Sequence, residues 1–269
     1  MEKLIILGTG NANVTRCYNT CFILQNDEDM LLVDAGGGNG ILRQLEDVHV
    51  DLTRIHNIYL THEHTDHLLG MIWMIRMIAA KMRADKYEGD LNIYCHADLI
   101  GALRTICGLT LQKKMTWLFD HRIFFIPVYD GDIRHILDYD IQFFDIRSTK
   151  AKQFGFSLML KSGQRLTCMG DEPINEGLIP YVKGTDWLMH EAFCLYSQRE
   201  TYKPYEKHHS TVREASQLAE QLGCAHLILY HTEDDNIARR KELYTAEGRL
   251  YYHGDLRVPD DLEEIILSE

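Results

Sequence analysis

Three imidazoles and two carboxylates fall within six consecutive residues, His62-Glu63-His64-Thr65-Asp66-His67. Imidazole nitrogens and ionised carboxylates are the ordinary ligands of zinc and related divalent ions, and at neutral pH neither needs activation to bind. Spaced this closely, such side chains can converge on one point, and the hexapeptide reads as a metal site. The competing reading is a polar loop that caps the next helix, with Thr65 or Asp66 as N-cap, but capping alone calls for no histidine. A bound divalent ion brings the pKa of its water toward neutrality and neutralises charge growing on a carbonyl or phosphoryl oxygen. The chemistry to expect is therefore hydrolysis.

The run before the hexapeptide, 54–61, has the β-branched and aromatic content of a strand, and 68–82 has the length and apolar density of a helix, so the ligands sit on a strand-to-helix turn. Other polar residues also fall at strand ends. A strand over 3–7 ends in Gly8-Thr9-Gly10-Asn11, which lacks the third glycine of a dinucleotide loop and reads as a turn at the site rim. A hairpin over 21–24 and 30–34 ends in Asp34, open between turn capping and direct metal contact. A helix near 41–46, a strand over 91–95 and a helix over 98–107 continue an α/β alternation. A second run of strands covers 122–128, 140–146, 155–160 and 165–169, the last ending in Gly170-Asp171. A helix over 174–181 follows, then a strand over 186–189 ending in His190-Glu191-Ala192. His208 and His209 precede a hydroxyl-capped helix over 211–222, and a strand over 226–230 ends in His231. Asp234 and Asp235 read as acidic residues in the first turn of a last helix. Two strand-rich halves, each covered by helices, predict an α/β fold, a four-layer αββα sandwich in one domain over 1–269.

Composition narrows the function further. The formal charge of −12 argues against broad, non-specific binding of a phosphate backbone. Seven scattered cysteines form no zinc-ribbon pairing and read as reduced thiols. The first residues run straight into a strand without a signal-peptide core, and the longest apolar stretch, 68–80, is interrupted by Arg76 and too short for a bilayer. The expectation is a cytoplasmic protein with no membrane partner.

On these residues the sequence resembles the metallo-β-lactamase superfamily, and within it the branch of ribonuclease Z and related phosphodiesterases. His62, His64, Asp66 and His67 form its His-x-His-x-Asp-His signature, and Gly170-Asp171, His190-Glu191-Ala192, His209-Ser210-Thr211 and His231 follow in the branch's order. The resemblance implies His62 and His64 on one metal, Asp66, His67 and His231 on a second, and Asp171 bridging both. It implies zinc, one or two ions, with Mn2+ or Fe2+ as alternatives, a bridging hydroxide as nucleophile, and a homodimer. His209 is the candidate to protonate the leaving oxygen, Glu191 to orient it, and Asp66 counts in the catalytic set as well as among the ligands.

One departure stands out. Where the branch supplies a further histidine before Gly155, this chain has Arg147-Ser148-Thr149-Lys150, with Thr149 in the histidine's place. A threonine hydroxyl is a poor zinc ligand, which leaves a mononuclear site open. Lys150 is either an ammonium in place of a cation or a solvated loop lysine, and His121 or His135 could substitute for the absent imidazole. Tyr196, Tyr202 and Tyr205, with Lys203 and Lys207, belong to a segment that binds an aromatic or phosphorylated substrate or forms a plain lid. The reading that follows is a metal-dependent hydrolase of phosphodiester bonds in a small-molecule or nucleotide-like substrate. Transfer RNA is not expected, because 155–171 holds only two strands and a turn where the branch inserts its RNA-gripping arm. The alternatives are an ester, thioester or lactone hydrolase, and a catalytically impaired metal-binding protein.

Overall fold

A computed structural model of the chain describes residues 1–268. The first sheet is built from β1 (Glu2–Gly8), β2 (Cys21–Asn26), β3 (Asp29–Val33), β4 (Asn57–Tyr59), β5 (Leu91–His96) and β6 (Ile123–Val128). The second holds β7 (Ile133–Ile136), β8 (Tyr139–Asp145), β9 (Phe154–Met159), β10 (Arg165–Cys168), β11 (Trp187–Glu191), β12 (His226–Tyr230) and β13 (Asp255–Arg257), before β14 (Glu264–Ser268) returns to the edge of the first. Strand orders are β14-β1-β2-β3-β4-β5-β6 and β13-β12-β11-β10-β9-β8-β7. Each sheet changes once from antiparallel to parallel pairing, at β3 in the first and at β10 in the second.

Strand alternation sorts the side chains into layers. In β1, Leu4 and Ile6 face the other sheet with Phe22, Val33, Phe143 and Ile228, while Ile5 and Leu7 pack outward. The outer face of the first sheet is covered by α1 (Gly40–Asp47), α2 (Thr65–Arg83), α3 (Ala97–Thr110) and the short α4 (Lys113–Thr116), and that of the second by α5 (Ile179–Val182), α7 (Val212–Leu222) and α8 (Arg240–Gly248), with α6 (Arg199–Tyr202) in the connection between β11 and α7. The expected αββα sandwich is what forms.

Differences from the sequence expectation have local causes. The strand expected over 54–61 shrinks to three residues, because Asp51 caps a 3-10 turn at Leu52–Arg54 by accepting from Thr53 N. The helix expected over 174–181 is split into a 3-10 turn at Glu176–Leu178 and α5, with Asn175 capping the turn. The last helix begins at Arg240, so Asp234 and Asp235 do not cap it. Asp234 instead accepts from Thr15 N and Arg16 N at 2.6 and 2.7 Å, and Asp235 from the Tyr202 hydroxyl at 2.6 Å. In α7 the expected cap is present as a box, Thr211 with Glu214, and the helix ends at Gly223 in the left-handed region.

The seating of α2 matters most for the site. Gly70 N donates to Gly36 O at 2.8 Å and Ala35 N to His67 O at 3.2 Å, so the first turns of α2 lie directly on the loop after β3. A Cβ at Gly70 would stand 1.7 Å from Ala35 O. Backbone blocks it on one side and the helix on the other, and Gly70→Ala is expected to cost about 2–3 kcal/mol in urea unfolding, the scale of overpacking.

Candidate metal centre

The candidate ligands lie just beyond the carboxyl ends of strands, the hexapeptide after β4, Asp171 after β10 and His231 after β12, and Glu191, the candidate orienting group, closes β11. Backbone ties hold these ends together across the two sheets. Tyr59 Oη donates to Phe154 O at 2.7 Å, and the loop after β1 is laced to the end of β12 by Asn11 N to Thr232 O and Thr232 N to Thr9 O, both 3.0 Å.

Around Asp171 Oδ2 stand His62 Nε2 at 3.6 Å, His231 Nε2 at 3.6 Å and His67 Nε2 at 3.7 Å. Asp66 Oδ2 is 3.4 Å from His67 Nε2. These separations are too long for hydrogen bonds, yet match the ~3.4 Å edge expected between two donors bound tetrahedrally to one ion at about 2.1 Å. Two donor groups result: Asp66, His67 and His231, and His62, His67 and Asp171. His64 joins through His62, its Nδ1 lying 2.8 Å from His62 Nε2. It occupies the N-cap position of α2 without a side-chain cap bond, and neither Thr65 nor Asp66 takes that role, so the capping reading of the hexapeptide falls.

The histidines are turned toward this point by their other ring nitrogens. His67 Nδ1 lies 2.7 Å from Asp34 Oδ2, which holds a proton on Nδ1 and leaves Nε2 as the ring nitrogen facing the other donors. That Nε2 is buried with no hydrogen-bond partner, as a ligand atom would be. Thr61 Oγ1 donates to the same Asp34 oxygen at 2.8 Å and can accept from His62 Nδ1 at 2.9 Å. Thr20 Oγ1, donating to Gly10 O at 3.0 Å, serves His231 Nδ1 in the same way at 3.2 Å. Asp34 is thus neither a helix cap nor a ligand. With φ 57° it turns its carboxylate under the hexapeptide and orients it. Donor types, spacing and orienting bonds fit a divalent ion.

The same crowding sets the protonation of the cluster. Burial alone would raise Asp171, but the His62, His231 and His67 imidazoles hold its carboxyl well below the usual range. Burial works against charge on His67 as well, yet Asp66 and Asp34 on either side push it well up. Burial, with His67 nearby, drives His62 well down.

The centre floors a cleft of about 500 Å³, walled by Asn11, Asn13, Phe193, Lys150, Lys207 and His209. His209 stacks on Phe193 with ring centroids 4.7 Å apart and 7° between planes. Burial and the His231 charge lower it to about 3. Its Nδ1 is 3.7 Å from Glu191 Oε2, beyond hydrogen-bond reach, and both atoms lack another partner. Glu191 is fully buried, accepts from Ser210 N at 2.5 Å and is pushed up by burial. Burial therefore favours one proton on the pair, on the carboxyl side.

Other sequence expectations resolve here. Thr149 is exposed and outside the cleft lining, whereas Lys150, exposed in the same loop, borders the cleft with its side chain. His121 stacks on Trp117 and His135 pairs with Asp140 on an exposed strand, so neither replaces the absent imidazole. Of the aromatic and basic segment, Lys207 reaches the main cleft, while Tyr205 bonds Glu214 and Tyr196 lies between Arg199 and Arg213. Asn11 and Asn13 bear out the glycine turn as part of the rim. The orienting set of Asp34, Thr61 and Thr20 was missed in sequence, where only the position of Asp34 at a strand end gave a signal.

Two seven-stranded sheets between helices, with a histidine and aspartate centre at the strand ends, define a hydrolase of the metallo-β-lactamase superfamily, similar to ribonuclease Z. A family model described as "Anti-Pycsar protein Apyc1" matches residues 2–249, and the chain belongs to that family. Ribonuclease Z of Azobacteroides pseudotrichonymphae is 23% identical over 256 residues, covering 84% of this chain and 86% of its own. Among solved structures, the metallo-β-lactamase fold protein YhfI from Bacillus subtilis superposes with TM-score 0.78 at 18% identity, covering 98% of both chains. Human tRNase Z, short form, superposes with TM-score 0.74 at 20% identity, covering 99% of this chain and 100% of that one. Relatives with these names leave the expectation against transfer RNA unsupported. Among the described residues no helix is long and apolar enough to cross a membrane.

If Asp171 is a shared ligand and Asp34 an orienting group, Asp171→Ala abolishes firm zinc binding. Asp34→Ala then weakens it about 10- to 100-fold, the usual effect of removing an outer partner. Zinc titration against a competing chelator reads both, and equal losses would overturn the division of roles.

Proposed function

We propose that the chain hydrolyses phosphodiester bonds in a small or nucleotide-like substrate, with His62, His64, Asp66, His67, Asp171 and His231 holding one or two divalent ions. The observation that carries this reading is the composition of the cleft: an acidic, imidazole-rich floor faces two lysine side chains across a space of about 500 Å³. Such a volume suits a small molecule, for which pockets run about 300–1,000 Å³. Lysines opposite a cation centre suit an anionic phosphoryl group better than a neutral ester or lactone.

An ion held there supplies an activated water and neutralises charge on the phosphoryl oxygens. The rest falls to the chain. Phe193 holds the His209 ring flat, at a place where it can give a proton to the departing oxygen. Glu191, behind it at 3.7 Å, is the reservoir from which that proton is replaced once the pair tightens. Asn11 and Asn13 offer amides at the rim to orient the remainder of the substrate.

A second reading, cleavage of an RNA, is favoured by the relatives that carry the name ribonuclease Z.

Turnover of bis(4-nitrophenyl) phosphate, a thioester, a lactone and a transfer-RNA precursor by zinc- and manganese-loaded protein separates these readings. The expected result is phosphodiester cleavage that a chelator abolishes and added metal restores. Turnover of the lactone or thioester alone would replace the reading, and inertness toward all four would leave a metal-binding protein. His209→Gln is expected to lower kcat about 10²- to 10³-fold, within the range of general acid catalysis, at unchanged metal content.

A further inference from the structure

The loop between β8 and β9 replaces an expected imidazole with something else, and its construction says what. Arg147 adopts φ 60°, and Ser148 Oγ accepts from Lys150 N at 3.1 Å and Ala151 N at 3.3 Å while donating to Glu172 Oε1 at 2.7 Å. This local turn leaves Thr149 outside and carries Lys150 inward. Its Nζ donates to Lys207 O at 2.8 Å and lies 3.5 Å from Glu172 Oε1. An ammonium has three donors, and these contacts use two. The residue lines the cleft beside Asp171, His209 and Lys207. Lys207 Nζ sits over the Phe193 ring at 4.9 Å, so a second ammonium borders the same space.

Charge counting gives this arrangement a purpose. Asp34, Asp66 and Asp171 bring three buried carboxylates to the centre. One divalent ion leaves that set short of neutral, and an anionic substrate approaching it would be repelled. The His62 group shares His67 with the other donor group, and the Lys150 ammonium lines the same cleft.

We propose that Lys150 is a substrate-binding residue whose ammonium takes a non-bridging oxygen of the substrate's phosphoryl group. The proposal deepens the phosphodiester reading and takes its ligand class from it.

The test is isothermal titration of inorganic phosphate into zinc-loaded protein, with metal content measured on each sample. Lys150→Met is expected to weaken phosphate binding tenfold or more at unchanged zinc per chain, and Lys150→Arg, which keeps the charge, to stay closer to the parent. A loss below threefold in Lys150→Met overturns the proposal, as does the absence of phosphate binding in the parent. An arginine variant no better than the methionine one also overturns it, since the lysine would then only shape the loop. Phosphodiester turnover is read separately on the parent. Lysine-dependent phosphate binding without turnover removes the phosphodiester reading and keeps the anion site, while turnover with lysine-independent binding does the reverse.

Discussion

Everything at the strand ends depends on keeping the carboxylates of Asp34, Asp66 and Asp171, each 4% exposed or less, buried among four imidazoles. Burying one unpaired charge costs several kcal/mol, and three of one sign around the single imidazole of His67 cannot persist without a counter-charge. Part of that charge is a proton: Asp66 and Asp34 pull His67 well up against its burial. A divalent cation held there would replace the proton and satisfy the buried Nε2 as well. An ion that binds the folded chain and not the unfolded one also stabilises the fold, so the sandwich edge and the metal are linked in one equilibrium.

Symmetry of construction explains how such unfavourable neighbours are brought together. Both sheets switch from antiparallel to parallel pairing, and their parallel strands point their carboxyl ends to one edge. Loops leaving those ends must turn sharply. Asp34 and His231 do so at φ 57° and 58°, in the left-handed region that non-glycine residues seldom enter, and each aims a side chain inward. Strain of this kind persists only where the surroundings over-determine it. Here the Tyr59 carbonyl, the seat of α2 and the strap from Thr9 to Thr232 supply that constraint.

Much of this was legible in the sequence because it rests on local pattern. The hexapeptide declares its chemistry by residue type, and β-branched runs ending in Asp171 and His231 declare both the strands and the place where they stop. Less local features were not. β7, with the sequence Ile133-Arg134-His135-Ile136, and β13, three residues long, are edge strands whose pairing comes from a distant neighbour rather than from alternation. Asp34 looked like a capping residue because its partners, Thr61 and His67, lie 27 and 33 positions away. Thr149 stood in the right place by counting, but which side chain of a turn points inward depends on backbone dihedrals, and Ser148 with Arg147 shifts the inward position by one.

The two candidate ion positions are unequal, and that inequality shapes the rest of the cleft. Asp66, His67, His231 and Asp171 provide four donors with two carboxylates, enough to neutralise a divalent ion. His62 and Asp171 are grouped with the same His67, and His64 joins only through its 2.8 Å contact with His62. For hard, doubly charged ions, carboxylate count weighs heavily in affinity, which would favour the first position. The loop between β8 and β9 adds an ammonium to the same cleft, tied to the main chain of Lys207 and to Glu172 beside the shared aspartate. That part of the charge an anionic ligand meets is set by covalent structure, whereas the part a bound ion would add follows the supply of metal.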